Sequence, residues 1–205
     1  MSLISLPSSS MMSSLCWRGG GFMSSYGRRH IWLWLNNVFN RVDKDRVKSV
    51  GRDMAAAEWL LRCGGASLRW KGATQFVADY NALGVGFGSR HIEAIHAEES
   101  GISPEGFDHF DGLQHLKEIY LTHCVCLDDV AMQKLAYYLK DTLEDLKIHR
   151  CHGITDGGVK ELAKLKELRR LELFNLLGVQ DKVSSEQFLR QQLTKCNIDW
   201  PDDPK

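Results

Sequence analysis

The stretch LKEIYLTHCVCL at residues 116–127 decides the fold, because related stretches recur along the chain. Two clear copies are LEDLKIHRCHGI at residues 143–154 and LRRLELFNLLGV at residues 168–179, and residues 92–100 give a weaker first copy. The copies begin about 24 to 27 residues apart and fit the leucine-rich-repeat template L-x-x-L-x-L-x-x-(N/C)-x-x-L. The sequence therefore predicts an α/β fold, a leucine-rich-repeat solenoid of about four repeats.

Each copy predicts a short strand, a turn and a returning helix. Side chains alternate along a strand, so Leu146 and Ile148 should both point into the core. Thr155 and Asp156 stand where a helix cap belongs, just before a helix that turns Leu162 inward. One repeat cannot bury its apolar face alone, so the copies must stack. Other positions predicted to face inward are Leu121 and Leu171.

The alternate strand positions should form a concave surface with mixed charge and a single tyrosine. Such a surface is the natural place for a protein partner. The predicted partner-binding residues are Lys117, Tyr120, Lys147, Arg169 and Arg170, and the neighbouring acidic positions are Glu118, Glu144, Asp145 and Glu172.

The first 27 residues differ from the rest of the chain. They are rich in serine, contain Arg18, and precede the first acidic residue, Asp43. This composition is typical of a mitochondrial transit peptide, which should be removed at roughly residues 25–30. A disordered polar tail remains the alternative, and the apolar run from Leu3 to Leu6 is too short for a secretory signal.

Residues 28–90 are predicted to form a small helical N-terminal domain ahead of the repeats at residues 91–205. One helix should pack its apolar face against the rest, although Trp32 and Trp34 also suit a membrane surface. A second helix should start with Asp53 as its N-cap and stop at Gly64. The first helix is predicted from Ile31, Leu35, Val38, Phe39 and Val42, and a glycine hinge from Gly84, Gly86 and Gly88.

Overall composition limits the classes of function. Lysine plus arginine equals aspartate plus glutamate at 26 each, so no general attraction to nucleic acid is expected. No run approaches the roughly 20 apolar residues of a membrane helix. Six scattered cysteines in a chain of this length indicate reduced thiols in an intracellular compartment.

The sequence offers little that predicts catalysis. Cys124 and Cys151 share the repeat's turn position and are interpreted as buried, whereas Cys126 has no such position. Cys126 is therefore the thiol expected to tune function, while a strained dithiol with Cys124 and a zinc site with His123 and His152 stay open as alternatives. No motif for acyl, phosphoryl or hydride transfer is present, so a non-enzymatic protein is predicted.

Several segments resemble one known family. The longest is WLWLNNVFNRVDKDRVKSVGRDMAAAEWLLRCG, from Trp32 to Gly64, and shorter ones are DYN at residues 79–81, GFDH at residues 106–109, GLQH at residues 112–115 and ITD at residues 154–156. With these segments the chain closely resembles coupling factor B, the family also called mitochondrial ATP synthase subunit s.

The resemblance implies a soluble protein on the matrix side of the inner mitochondrial membrane. It would associate peripherally with the membrane sector of ATP synthase and support the coupling of proton flow to ATP synthesis. The family's functional cysteine pair falls on Cys124 and Cys126, and Cys63 also matches a family cysteine. No cofactor is required, but a magnesium site is implied at Gly64 and Glu98, where the family has threonine at the second position.

Other functions remain open on sequence grounds. A related branch of the family suggests an assembly factor for the membrane arm of respiratory complex I, which needs a binding surface in the same compartment. F-box substrate receptors carry similar cysteine-containing repeats, although the N-terminal region and the leader favour the mitochondrial interpretation. A redox enzyme is the least supported alternative.

Overall fold

The computed structural model describes residues 36, 38–84 and 90–201, so the predicted leader at residues 1–27 lies outside it. The described residues form one six-stranded sheet with helices packed against it, which confirms the α/β class. Among them, no helix is both long and apolar enough to span a bilayer. In chain order the elements are α1 (Lys44–Val50), α2 (Arg52–Arg62), β1 (Ala66–Trp70), a 3-10 helix (Tyr80–Leu83), β2 (Ile92–Glu98), a second 3-10 helix (Pro104–Phe110), β3 (Glu118–Thr122), α3 (Asp129–Tyr138), β4 (Asp145–His149), α4 (Asp156–Glu161), a third 3-10 helix (Leu162–Lys164), β5 (Arg170–Phe174), α5 (Lys182–Gln192) and β6 (Asn197–Asp199).

The strands follow one another across the sheet in chain order. β1 is antiparallel to β2, and each later strand is parallel to its neighbour. Parallel neighbours require a crossover connection, and a helix or 3-10 helix supplies each one here. The short final strand, β6, was not predicted from the repeats; it extends the series beyond the fourth copy.

The strand-and-turn unit repeats with constant register. Ile95 is the partner of Ile119, which faces Leu146, which in turn faces Leu171. The residue after each of these strands adopts a left-handed conformation, with φ between 49° and 55°. Its N–H donates to the last residue of the next strand, at 2.8 to 3.0 Å in three successive units. The residues concerned are Glu99, His123, Arg150 and Asn175.

The predicted inward positions are confirmed. Leu121, Leu146, Ile148 and Leu171 are at most 1% exposed and share one continuous core with the helices. Leu162 is also fully buried. The predicted cap is confirmed as well, since the Thr155 hydroxyl accepts the Gly157 N–H at the start of α4.

The prediction that Asp53 caps the second helix is wrong. The N-cap of α2 is Gly51, and Asp53 lies within the first turn. Its carboxylate instead accepts the backbone N–H of Ile92 at 2.8 Å, which ties α2 to the start of β2. The Asp53 carboxylate, which the local sequence predicted as a helix cap, therefore binds a distant part of the chain instead. The predicted stop is confirmed, since α2 ends at Arg62 and Gly64 has a φ of 70°.

The N-terminal region at residues 28–90 is not purely helical, because it also supplies the strand β1. Of the predicted first helix, Val38 and Phe39 are helical but 50% and 38% exposed, and Val42 is outside any helix. Ile31 and Leu35 lie outside the described residues, as do Gly86 and Gly88 of the predicted hinge. Two of the described apolar positions thus fail to join the core as the amphipathic pattern predicted.

Asn40 connects the N-terminal residues to the rest of the fold. Its side chain is fully buried and makes four hydrogen bonds shorter than 3.2 Å. The amide NH₂ donates to the carbonyls of Asn36 and Gly101, and the amide oxygen accepts from the Trp59 indole and the Ser103 N–H. One buried amide therefore joins three separate parts of the chain.

His109 lies beneath this junction, stacked on Trp59 at 4.8 Å between ring centroids. Burial lowers the pKa of His109 from 6.5 to about 4. The unfolded chain therefore binds a proton that the folded chain does not between these two pH values. Consequently, the free energy of unfolding should fall as the pH drops through this window.

Urea melts of the wild type and His109→Gln at about pH 7 and about pH 4.5 would measure this effect. Carboxylates contribute to acid sensitivity in both proteins, so the difference between them isolates the histidine. The variant should lose less stability on acidification than the wild type does. Equal losses in both proteins would mean that His109 is protonated in the fold at no cost.

Candidate partner-binding face

One face of the sheet carries alternating side chains that do not enter the core. We call it the open face and define it by His96, Glu118, Tyr120, Asp145, Lys147, Arg170 and Glu172. Strand register places His96, Tyr120, Lys147 and Glu172 in one row across four strands. Glu118, Asp145 and Arg170 form a second row beside it. Because every second side chain of a strand points to the same side of the sheet, residues that are far apart in the sequence form one contiguous surface.

Aromatic rings and a lysine form the centre of the first row. The His96 ring stacks on Tyr120, with centroids 4.3 Å apart and planes 11° from parallel. His96 also stacks on Phe76, at 4.2 Å between centroids. The Lys147 ammonium lies 4.6 Å from the Tyr120 ring centroid and 2.9 Å from Glu172. These contacts fix each ring and the lysine in one orientation.

Ion pairs hold the second row. Glu118 accepts a hydrogen bond of 3.3 Å from the Arg69 guanidinium, and its other oxygen is 2.6 Å from His96. Asp145 accepts the Tyr120 hydroxyl at 3.3 Å and is 3.2 Å from Arg170. The charges of the open face are therefore largely satisfied within the molecule, and a partner would meet a preorganised surface.

Cations become more exposed at the edge where the parallel strands begin. Lys117 and Arg169 both approach Glu144, at 2.7 and 3.6 Å, yet their side chains are 52% and 74% exposed. A shallow cavity of about 510 Å³ opens at this edge. Its lining residues are Arg69, Glu93, Lys117, Glu118, Glu144, Asp145, Arg169, Arg170 and Asn197.

Ionisation on the open face follows from these contacts. The Lys147 ammonium lowers the pKa of Glu172, and Lys117 does the same for Glu144. Burial, followed by the nearby carboxylates of Glu118 and Asp145, raises the pKa of Tyr120 to about 12. The tyrosine therefore stays a neutral hydrogen-bond donor at neutral pH, and the two carboxylates stay ionised.

All five predicted partner-binding residues lie on this face or at its edge. Lys117 and Arg169 stand just before β3 and β5, and the other three lie within strands. His96 is not among the predicted residues, although it occupies the template position of Tyr120 and an alignment of the copies would indicate it. Phe76 comes from outside the repeats, and no sequence signal indicated its role.

The predicted thiols separate into buried and accessible groups. Cys124 and Cys151 are fully buried in successive turns, where each thiol donates to backbone carbonyls at 3.4 to 3.8 Å. The hydrogen bond to Cys151 and burial both raise the pKa of Cys124. Burial raises the pKa of Cys63 to about 12. Cys126 is only half-buried, so the predicted burial of Cys124 and the greater accessibility of Cys126 are confirmed, and the role of each thiol stays a prediction.

Thiol labelling should reproduce this separation. In the native protein, a maleimide should modify Cys126 at least about tenfold faster than Cys63, Cys124 or Cys151, because the reagent cannot reach a buried thiol. Cys196 is half-buried like Cys126, but burial raises its pKa to about 11. Its labelling rate therefore shows how much a raised pKa slows a thiol that the reagent can reach. Peptide mapping over time gives the rates, and early labelling of Cys124 would contradict the assignment.

The predicted magnesium position lies where the turn after α2 meets the end of β2. The Glu98 N–H donates to the Gly65 carbonyl at 2.7 Å, next to Gly64, and the Glu98 side chain is exposed. Across residues 36, 38–84 and 90–201, no group of three or more His, Cys, Asp or Glu side chains is arranged to hold a metal. One carboxylate and backbone carbonyls suit at most a hydrated ion, so the site stays a prediction.

Sequence comparison with curated proteins covers most of the chain. The rat protein named ATP synthase subunit s, mitochondrial, is 43% identical over 171 residues, spanning 82% of this chain and 83% of the rat protein. The human protein of that name is 41% identical over 173 residues, 83% of this chain and 86% of its own length. The chain belongs to the mitochondrial ATP synthase subunit s family. The bovine member is 39% identical over the same shares.

Family membership confirms the resemblance drawn from residues 32–64. No family model matches the chain. Identity at this level extends along more than four-fifths of this chain and of the subunit s relatives.

Proposed function

We propose that the chain is a non-catalytic accessory factor of mitochondrial ATP synthase that binds the membrane sector through its open face. In this role it sits on the matrix side of the inner membrane and supports the coupling of proton flow to ATP synthesis. Relatives that carry the name ATP synthase subunit s, mitochondrial, support the client and the compartment. The inner-membrane position and the coupling role extend beyond those names.

We further infer that the units containing β2 to β5 are four leucine-rich repeats that build a solenoid. The constant register of the strands supports this assignment, as does the recurring left-handed residue after each strand. Units that repeat by translation place their strands side by side in one continuous face, which is the usual binding surface of solenoid proteins.

The stacked row of Phe76, His96 and Tyr120 beside Lys147 is the observation that carries the binding role. Aromatic rings and cations that are already held rigid lose little side-chain entropy on association, and tyrosine is enriched among the residues that dominate protein interfaces. The thiols of Cys63 and Cys124 support a non-catalytic role, because their raised pKa values disfavour the reactive thiolate. The hydrogen bond with Cys124 lowers the pKa of Cys151, but Cys151 is fully buried and therefore out of reach of a substrate.

Affinity purification of the tagged full chain from mitochondria tests the client. ATP synthase membrane-sector subunits should co-elute above the level of other inner-membrane complexes. Enrichment of the membrane arm of complex I would instead support an assembly factor, and enrichment of ubiquitin-ligase subunits would support the F-box alternative. Either of those outcomes would replace the proposed client.

The double variant Tyr120→Ala with Lys147→Ala tests the face. Loss of two central contacts should reduce co-elution by at least about tenfold, the effect of removing a typical interface hot spot. Lys44→Ala with Lys48→Ala, on the exposed surface of α1, provides the matched control and should retain the partner. The same variants, added to factor-depleted inner-membrane vesicles, should differ in the same order in restoring an ATP-driven membrane potential.

A further inference from the structure

A second groove lies on the helical side of the molecule, away from the open face. It forms between the C-terminal half of α3 and the 3-10 helix at Leu162–Lys164 and has a volume of about 510 Å³. Its exposed surface is mainly apolar. The lining residues are Gln133, Lys134, Ala136, Tyr137, Tyr138, Lys140, Ala163, Lys164 and Lys166.

The two tyrosines of this groove, Tyr137 and Tyr138, differ in exposure. Tyr137 is 71% exposed, the largest value among the exposed large hydrophobic residues that the structure describes. Tyr138 packs against the core and donates its hydroxyl to Asp108 at 3.1 Å. An exposed tyrosine ring that continues an apolar groove extends the apolar surface available to a partner. The pair therefore offers one fixed ring and one projecting ring.

The charged side chains that line the groove have one sign. Four of the lining residues are lysines and none is acidic, although the whole chain is neutral. Lys134 pairs with Asp108 at 2.9 Å, and Lys140 and Lys164 are 57% and 59% exposed with acidic partners at 3.9 and 2.6 Å outside the groove. Lysine stems can lie along apolar surface while their ammonium groups reach outward. The groove thus complements an amphipathic, negatively charged occupant.

We propose that this groove is the surface through which the chain rests on a bilayer containing anionic phospholipid. Tyr137 would sit at the headgroup level, where tyrosine is favoured because one end of the ring is apolar and the other is polar. Lys140, Lys164 and Lys166 would face the lipid phosphates. The inference rests on the proposed function, since it supplies the membrane contact of that role while leaving the open face available to a protein.

The shape of the groove favours a lipid surface over an acidic peptide. Tyr137 is 71% exposed beside the groove, so it is placed to enter the surface of a partner, as a tyrosine at a membrane interface does. The lysines flank that residue on both elements, as expected for a surface that rests on a plane of phosphates.

Vesicle binding by the full chain tests the proposal. Vesicles of phosphatidylcholine containing about one-fifth phosphatidylglycerol should bind the chain, and phosphatidylcholine alone should not. Lys140→Glu with Lys164→Glu should weaken that binding by at least about tenfold, and Tyr137→Ser should weaken it at unchanged charge. The matched reversal Lys44→Glu with Lys48→Glu, on α1, should change it less than about twofold.

Hydrogen exchange shows directly which residues of the full chain contact the vesicle. On anionic vesicles, amides of residues 133–140 and 163–166 should become protected, and circular dichroism should show that each variant is folded. Loss of binding in the α1 variant with full binding in the groove variant would overturn the proposal, as would an unprotected groove. Co-elution with ATP synthase in either case would show that the proposed function survives without this membrane contact.

Discussion

Leu146→Ala should lower the free energy of unfolding by about 3 to 5 kcal/mol, the cost of a large buried cavity. Leu146 is fully buried in β4, between Ile119 on β3 and Leu171 on β5. Because the core is continuous across the units, the lost methyl groups leave a void that neighbouring strands cannot close without breaking their register. Urea denaturation of the purified chain measures the effect.

Lys147→Ala is the control at the adjacent position of the same strand. Its side chain lies on the open face and pairs with Glu172, but both are more than a quarter exposed. Partly solvated ion pairs contribute little, so this variant should cost less than about 1 kcal/mol. Similar losses in both variants would show that the strand register is shifted by one residue.

Asn40→Leu should also lower the free energy of unfolding by about 3 to 5 kcal/mol, because it removes several buried hydrogen bonds at once. The substitution leaves the Trp59 indole N–H and the Ser103 N–H without their buried acceptor. It likewise leaves the carbonyl of Gly101 without its side-chain donor. Each buried polar group left unpaired costs roughly 1 to 3 kcal/mol. Thermal and urea melts would record the loss.

Asn81→Ala is the matched control for Asn40→Leu. Asn81 is an exposed asparagine whose side chain, among the residues that the structure describes, bonds only to Asp79. Its loss should change the free energy of unfolding by less than about 0.5 kcal/mol, as for most surface substitutions. Near-native stability of Asn40→Leu would mean that the N-terminal residues dock through other contacts.

The repeat pattern predicted much of the core because burial in a strand has a simple period. Ile119, Leu121, Leu146 and Ile148 could be assigned to the inside from spacing alone, and all are buried. The cap at Thr155 could also be predicted locally, since its acceptor and donor are two residues apart. The sequence pattern did not indicate that the Thr155 hydroxyl also donates to Asp129, 26 residues away.

The N-terminal region was harder to predict because its side chains find distant partners. Asp53 has the chemistry of a helix cap but instead binds the backbone of Ile92, 39 residues away. Asn40 gave no signal, although it joins Asn36 to Gly101, 61 residues away. Val38 and Phe39 fit an amphipathic helix, yet both are substantially exposed. Periodicity indicates which face is apolar but not which element will cover it.

By itself, the sequence determined that short strands repeat at a spacing of about 24 to 27 residues and that their alternate side chains form a face carrying Lys117, Tyr120, Lys147, Arg169 and Arg170. Only the tertiary structure decided how that face is organised. His96 stacks between residues from two other segments, and Lys147 turns toward both Tyr120 and Glu172. The physical reason is the distance along the chain between the residues that interact. Alternation is set by the backbone of each strand, whereas ring stacking and ion pairing depend on the register between strands.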